Sequence, residues 1–259
     1  MPRRNSEVVD DYADLRGEQI EFVHGSLLLR LQAKAVDTLK RRAIARLHRH
    51  ASGEALLLEI YLWAEEAAGS GAFADLKDLV LPPWLRAKLE HHASDENRHA
   101  MLLRKRLADL GVAPRPPRVD SLSRWKLGRL RQLVECSASS FRSGLCVTGL
   151  TLAWRMELMG VRVLTRHVDV LRSETASFGS GAALRVLEQI LRDERAHARA
   201  CETSLNRLVA EDEREALASL AGRIDAQERR FGITGALMLL GVAYAPSLAG
   251  PRVAVREVT

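Results

Sequence analysis

Two short stretches of the sequence contain residue types that bind metal ions, in nearly the same order. The first, D-E-N-R-H, occupies positions 95–99, and the second, D-E-R-A-H, occupies positions 193–197. Residues three positions apart lie on one face of a helix, so Glu96 and His99 project together, as do Glu194 and His197. One Glu-x-x-His pair is common on helices. Two copies that share the preceding aspartate predict a specific site.

A second repeated pattern, W-x-x-E-x-x-G, occurs upstream of each D-E-x-x-H stretch, at positions 63–69 and 154–160. Its alignment predicts that Glu66 and Glu157 complete the site. Glu59 is the alternative ligand on the first of these segments, but it aligns with Leu150, which is not a carboxylate. Glu65 lies about 100° around the helix from Glu66 and is predicted to be a surface residue.

Burial of this many acidic side chains in one core requires positive charge among them, because isolated buried carboxylates are costly. Two divalent cations would supply that charge. Mixed oxygen and nitrogen donors favour iron or manganese over a thiolate-rich zinc site. The predicted ligands are Glu66, Glu96, His99, Glu157, Glu194 and His197.

The elements that must position these residues are predicted to be helices. Helical patterns cover 53–78, 84–110, 123–173 and 182–209, with a candidate break at Ser143-Gly144 and a proline-rich linker within 111–120. The fold class is therefore all-α: an antiparallel four-helix bundle of two hairpins over 51–210. Residues 1–50 are predicted as an N-terminal helical extension, and 211–259 as a charged helix followed by an apolar tail.

The pattern of one glutamate on each of two helices and Glu-x-x-His on each of two others resembles the ferritin-like superfamily of di-iron carboxylate proteins. The resemblance covers roughly 53–209, and the duplicated D-E-x-x-H is most similar to the oxygenase, ribonucleotide-reductase and rubrerythrin branches. It implies that the six predicted ligands hold two iron ions. It also implies that Asp95 and Asp193 each hydrogen-bond a ligand histidine of the partner helix.

By that resemblance, the expected activity is oxidation or hydroxylation of a small organic substrate with O₂ and electrons from an external donor. One alternative is a di-iron hydroxylase that modifies tRNA. Another is a ferroxidase, or an iron-handling or peroxide-scavenging protein. Residues one turn from the upstream glutamates are expected to border a substrate cavity: Leu62, Gly69, Ala153, Gly160 and Val161.

Several remaining residues have two possible interpretations. His92 precedes Glu96 by one turn, and a pocket-lining or buried role is favoured over metal binding. Tyr61 is five residues before Glu66 and is therefore predicted on the far side of its helix. The basic residues between 40 and 50 fit either a solvated helix face or an anionic partner such as RNA.

Composition narrows the class of protein. The net charge is +6, and the three cysteines form no C-x-x-C pair, which excludes a rubredoxin-type module. The longest apolar run, 233–245, is shorter than the roughly 20 residues of a membrane span. A cytoplasmic protein is expected, with a homodimer as one possible assembly.

Overall fold

The computed structural model describes residues 27–68, 76, 79–113, 121–173 and 180–245, and these residues form seven α-helices with no strand among them. This confirms the predicted all-α class. The helices are α1 (Leu27–Leu47), α2 (Ala51–Ala67), α3 (Pro83–Asp109), α4 (Ser121–Ser137), α5 (Leu145–Ser173), α6 (Ser180–Leu208) and α7 (Arg214–Ala243). Short 3₁₀ turns occupy Ala138–Ser140 and Glu211–Glu213.

Glycine and proline set several of these boundaries. Pro83 is the first residue of α3, where its missing N–H leaves no hydrogen bond unmade. Gly111 follows that helix with φ of 71°, and Gly144 precedes α5 with φ of 48°. Both values lie in the left-handed region that favours glycine. The break predicted at Ser143-Gly144 is thus confirmed, and it separates α4 from α5.

Helix α2 is described as far as Ala67, and most of the predicted extension to position 78 lies outside the described residues. Another predicted boundary is wrong. Helix α7 continues through the stretch that was predicted as an apolar tail. The tail prediction relied on the change from charged to apolar composition near Gly232, but such a change does not interrupt backbone hydrogen bonding. The apolar residues of this half extend the helix beside α1 instead.

Four helices surround the centre of the molecule. Helix α2 packs on α3, α5 packs on α6, and α3 packs on α6. Contacts between Asp95 and His197 and between Asp193 and His99 show that α3 and α6 run antiparallel. The other three helices lie outside this group, where α1 contacts α7, and α4 contacts α5 and α7.

The core has two apolar layers. One contains Leu89 of α3, Leu150 of α5 and Leu205 of α6. The other contains Leu103, Leu164 and Leu187 of the same three helices. Along each helix, the polar residues between these layers lie at one level, so the fold holds a buried polar layer between two apolar ones.

Some predicted features fall outside the described residues. These are Gly69, residues 1–26, most of the 111–120 linker, and residues 246–259 of the C-terminal segment. Among the helices that are described, none combines the length and the apolar character needed to cross a membrane.

Candidate metal centre

Seven ionisable side chains converge in the buried polar layer. They come from all four central helices because each follows the i, i+3, i+4 spacing of its helix's buried face. Helix α3 contributes three of them, α6 two, and α2 and α5 one each. The residues are Glu65, His92, Glu96, His99, Glu157, Glu194 and His197, and none is more than 9% exposed.

These side chains form two groups, each able to hold one cation. The first contains His92, Glu96, Glu157 and His197, and the second contains Glu65, Glu96, His99 and Glu194. In each group, one ligand atom per residue lies within 4.8 Å of the other three. Glu96 belongs to both groups, so two cations here would share its carboxylate.

Two aspartates orient the imidazole rings across the α3–α6 pair. His197 Nε2 lies 3.1 Å from Asp95 Oδ2, and His99 Nε2 lies 3.2 Å from Asp193 Oδ2. A ring nitrogen that donates to a carboxylate leaves its other nitrogen as an acceptor, so both Nδ1 atoms are assigned as acceptors. Each of these Nδ1 atoms faces the glutamates.

Arg98 joins the two aspartates from the outside. Its Nη2 lies 2.7 Å from Asp95 Oδ1 and 3.1 Å from Asp193 Oδ2. Arg98 therefore pairs with both aspartates of the duplicated pattern, although it belongs to only one of the two copies.

His92 adds a third imidazole. Its Nε2 lies 3.1 Å from Glu96 Oε1 and 3.2 Å from Glu157 Oε1, and its ring stacks on His197 with centroids 3.7 Å apart. The favoured interpretation from sequence was a buried or pocket-lining residue. The structure shows that His92 also presents a donor atom to the first group. Its position one turn before Glu96 was the signal that deserved more weight.

The carboxylates destabilise one another's charged forms. Burial raises the pKa of Glu157 to about 8. Burial, a hydrogen bond with Glu96 and the charges of neighbouring glutamates raise the pKa of Glu65 well above its ordinary value. Burial and the charges of Glu157 and Glu96 do the same for Glu194. This layer therefore has an unmet demand for positive charge.

Glu96 is the exception among the four glutamates. Burial opposes its ionisation, but the adjacent imidazoles of His197 and His92 lower the pKa of Glu96 well below its ordinary value. The residue shared by both groups is thus the one that the histidines hold as an anion.

Within the described residues, several buried atoms of the layer have no hydrogen-bond partner, namely Glu96 Oε1, Glu157 Oε2 and His197 Nδ1. Buried polar atoms in native proteins are nearly always satisfied. Atoms such as these, pointing at one another, are what a bound cation would satisfy.

The structure corrects the predicted ligand Glu66. Its Oε1 accepts a hydrogen bond from Arg104 Nη2 at the surface of the α2–α3 pair, and Glu65 occupies the buried layer instead. Glu59, the alternative candidate, is half-buried and belongs to neither group.

The error came from assuming that the two W-x-x-E-x-x-G stretches have the same helical phase. Leu58, Tyr61 and Glu65 form the buried stripe of α2, at spacings of three and four residues. Leu150, Ala153 and Glu157 form the equivalent stripe of α5. These stripes align Glu65 with Glu157, one residue away from the alignment of the tryptophans. The apolar stripe on α2 was the sequence signal that could have identified Glu65.

The helical phase that buries Glu65 also buries Tyr61. It is one turn before Glu65 on the same face, and its ring is buried in the apolar layer next to the site. The predicted position on the far side of the helix is therefore wrong. Its hydroxyl lies 2.8 Å from His167 Nδ1.

The expected cavity residues pack mainly against apolar neighbours. Leu62 and Ala153 are buried, and Val161 packs at the edge of the second apolar layer. Gly160 has a more specific role, because a Cβ added there would lie 2.7 Å from Glu194 Oε2. The absence of a side chain at Gly160 therefore gives that carboxylate its space. Gly69 is outside the described residues.

A scan against protein-family models and searches of curated proteins and of solved structures found no match to this chain. Chemical interpretation therefore rests on the side chains themselves. Oxygen and imidazole donors, with no cysteine in either group, suit iron or manganese ions.

Proposed function

We propose that this protein is a ferritin-like four-helix bundle that binds two iron or manganese ions and uses O₂ to oxidise or hydroxylate a small organic substrate. The observation that carries the proposal is the pair of buried ligand groups that share Glu96. Four glutamates and three histidines at one level of a core are difficult to explain without cations.

The protein's own residues would prepare this site in three ways. The four glutamates and three histidines hold the ions at fixed positions in the polar layer. Asp95 and Asp193 fix the orientation of two imidazoles, which strengthens histidine as a ligand. The apolar layers on both sides exclude water, which strengthens electrostatic interactions within the site.

Bound iron or manganese would supply the redox chemistry with O₂, with electrons from an external donor. Such chemistry requires a protected site, because reactive species in contact with bulk water are lost to side reactions. The low exposure of all seven side chains is consistent with that requirement.

The alternative of a tRNA-modifying enzyme receives little support from α1. Arg41 binds Asp37 and Asp169, and Arg46 donates to the carbonyl of Ala243. His48 is buried. Several of the basic residues that suggested an anionic partner therefore hold α1 against α5 and α7. No described contact favours iron storage or peroxide removal over substrate oxidation.

Metal analysis of two neighbouring variants tests the proposal. Wild-type protein expressed with ample iron and manganese is expected to retain two ions per chain by inductively coupled plasma mass spectrometry. Glu65→Ala should lose at least one ion, because it removes a ligand of the second group. Glu66→Ala is the matched control and should retain both.

The proposal fails if well-folded wild-type protein binds no transition metal. It also fails if Glu65→Ala and Glu66→Ala retain metal equally. Consumption of O₂ after anaerobic reduction of the loaded protein, compared with the metal-free protein, tests the redox part separately.

A further inference from the structure

A groove on the outer surface runs along the seam between α3 and α6. It has a volume of about 390 Å³, within the range of roughly 300–1,000 Å³ typical of small-molecule sites. Its apolar lining includes Leu85 and Leu89 of α3, Cys201 of α6 and Leu150 of α5. Since Leu150 belongs to the helix behind the seam, the groove reaches into the core rather than lying on a flat surface.

The groove borders only one of the two ligand groups. His92 and His197, both from the first group, line it, together with Asp95. The groove lining does not include three residues of the second group, namely Glu65, His99 and Glu194. The burial that raises the pKa of the Cys201 thiol is reinforced by the negative charge of Glu157, which indicates that this part of the groove lies close to the first group. A molecule in the groove would therefore approach the two metal positions unequally.

The charges that line the groove differ between its two ends. At one end, the guanidinium of Arg98 pairs with both Asp95 and Asp193, which leaves a net negative charge there. Lys88 is different, because no carboxylate lies within ion-pair distance of it among the described residues. Its ammonium lies 5.7 Å from the ring centroid of Trp84, whose face also carries the guanidinium of Arg207 at 4.3 Å. Lys88 is therefore the positive charge at the end of the groove that contains Leu85, and Arg207 is a second cation beside it but outside the groove lining.

We propose that the α3–α6 groove binds the substrate, and that the substrate is an amphipathic organic anion, such as a carboxylate with an aliphatic or aromatic body. Its apolar part would lie on the leucines and Cys201, and its charge would contact Lys88. It would be oxidised beside the metal position formed by His92, Glu96, Glu157 and His197. This inference rests on the proposed function for its chemistry, but not for the binding itself.

Calorimetric titration with three ligands of equal chain length tests the selectivity. Octanoate is expected to bind wild-type protein at least tenfold more tightly than 1-octanol or octylamine. Equal affinities for octanoate and octanol would overturn the proposal, because the groove would then select for apolar surface alone.

Two variants locate the binding. Lys88→Glu should weaken octanoate binding at least tenfold and make octylamine the tighter ligand, because the charge at the groove is reversed. Lys105→Glu, an exposed charge reversal on α3 outside the groove lining, is the control and should change binding less than twofold. Ala200→Phe should fill the groove and weaken all three ligands. Circular dichroism verifies that each variant is folded, and unchanged octanoate affinity in folded Lys88→Glu and Ala200→Phe would overturn the proposal.

The proximity to the metal position is tested with cobalt-loaded protein. Octanoate should alter the visible absorption bands of bound Co²⁺ in wild type, but not at the same concentration in Lys88→Glu. Unaltered bands at saturating octanoate would overturn the claim that the groove ends beside the metals. If octanoate binds selectively to metal-free protein while metal analysis finds no bound ion, the groove stands and the proposed function fails.

Discussion

The molecule contains two buried polar clusters of similar composition but different arrangement. The first is the candidate metal centre. The second, here called the histidine chain, consists of Tyr61, His167, His48, Glu54 and Arg106, and none of these is more than 9% exposed. Both contain glutamate and histidine, and both include residues of α2, α3 and α5.

In the histidine chain, most neighbouring groups pair as donor and acceptor, although the buried His48 Nδ1 has no hydrogen-bond partner among the described residues. Arg106 Nε donates to Glu54 Oε1 at 2.7 Å. His48 Nδ1 lies 3.8 Å from that carboxylate and is therefore assigned as the protonated nitrogen. His167 Nε2 then donates to His48 Nε2 at 2.5 Å, and the hydroxyl of Tyr61 donates to His167 Nδ1 at 2.8 Å. Each of these protons therefore points towards Glu54.

The metal centre has no such order. Its carboxylates face one another, and three of its atoms have no hydrogen-bond partner within the described residues. The comparison shows that burial of glutamate and histidine does not by itself indicate a metal site. What distinguishes the candidate metal centre is that four carboxylates face one another, whereas the single carboxylate of the histidine chain is paired with Arg106.

The largest expected effect is that of Glu96→Ala. Because Glu96 belongs to both ligand groups, we expect the variant to lose both ions, whereas His92→Ala should lose only the ion of the first group. Mass spectrometry of metal content checks this. Two retained ions in Glu96→Ala would mean that the shared carboxylate is not a ligand.

The second expected effect separates stability from metal binding. Burial raises the pKa of Glu157 above that of an unfolded glutamate, so the metal-free folded state binds the extra proton and loses stability as the pH rises from about 4.5 towards 8. Glu157→Gln should therefore stabilise the metal-free protein at pH 8 by more than about 1 kcal/mol. The same variant should weaken metal binding. Urea unfolding of both proteins without metal measures the first effect, and a destabilised variant would contradict it.

The histidine chain should show the opposite pH dependence. Burial and the charge of Arg106 lower the pKa of His48 to about 4, and burial and the charge of His48 lower the pKa of His167 well below its ordinary value. Both are neutral in the folded state but take up protons in the unfolded state below about pH 6.5. Stability should therefore fall between pH 7 and pH 5, by roughly 2 kcal/mol for His48. Urea unfolding of the wild-type protein and of His167→Leu across this range isolates the contribution of His167, and parallel profiles would show that this histidine is protonated in the fold.

Removal of one member of the histidine chain should reduce stability without affecting metal content. His167→Leu leaves His48 and Tyr61 without a buried partner, at a cost of about 1–3 kcal/mol in the free energy of unfolding. Two ions per chain should remain. If metal content falls in the folded variant, the two clusters are one functional unit and the contrast between them is lost.

The smallest effect is that of one methyl group beside the metal centre. Gly160→Ala places a Cβ 2.7 Å from Glu194 Oε2 and should displace that carboxylate, weakening binding of the ion in the second group. Gly222→Ala in α7 meets no atom within 4 Å and should instead stabilise the fold by up to about 1 kcal/mol. Thermal unfolding and metal titration of the two variants compare them, and equal behaviour would remove the role assigned to Gly160.

Sequence reasoning was strongest where one helix carried a whole pattern. The residues Glu96, His99, Glu194 and His197 were found because i, i+3 spacing on a single helix determines which side chains project together. The identity of the ligand on α2 depended on the relative phase of two separate helices. A shift of one residue along a helix rotates the side chain by about 100°. A short repeated sequence pattern does not determine which face of each helix is buried.

The histidine chain was not predicted at all. Arg106 and His167 are far in the sequence from His48 and Glu54 and from each other, and no spacing rule connects them. Only the packing of α1 against the central helices brings His48 next to His167. The all-α class, in contrast, followed from composition and helix-ending residues such as Gly111, which act locally.

Arg98 couples the two ligand groups of the candidate metal centre through the aspartates that support their histidines. One terminal nitrogen of this half-exposed side chain anchors both Asp95 and Asp193, and each of these steadies an imidazole on the opposite helix. A rotation of Arg98 towards solvent would release both supports in a single movement. The orientations of the His99 and His197 rings therefore depend on the same guanidinium. Any group that competes for that guanidinium would loosen both rings together.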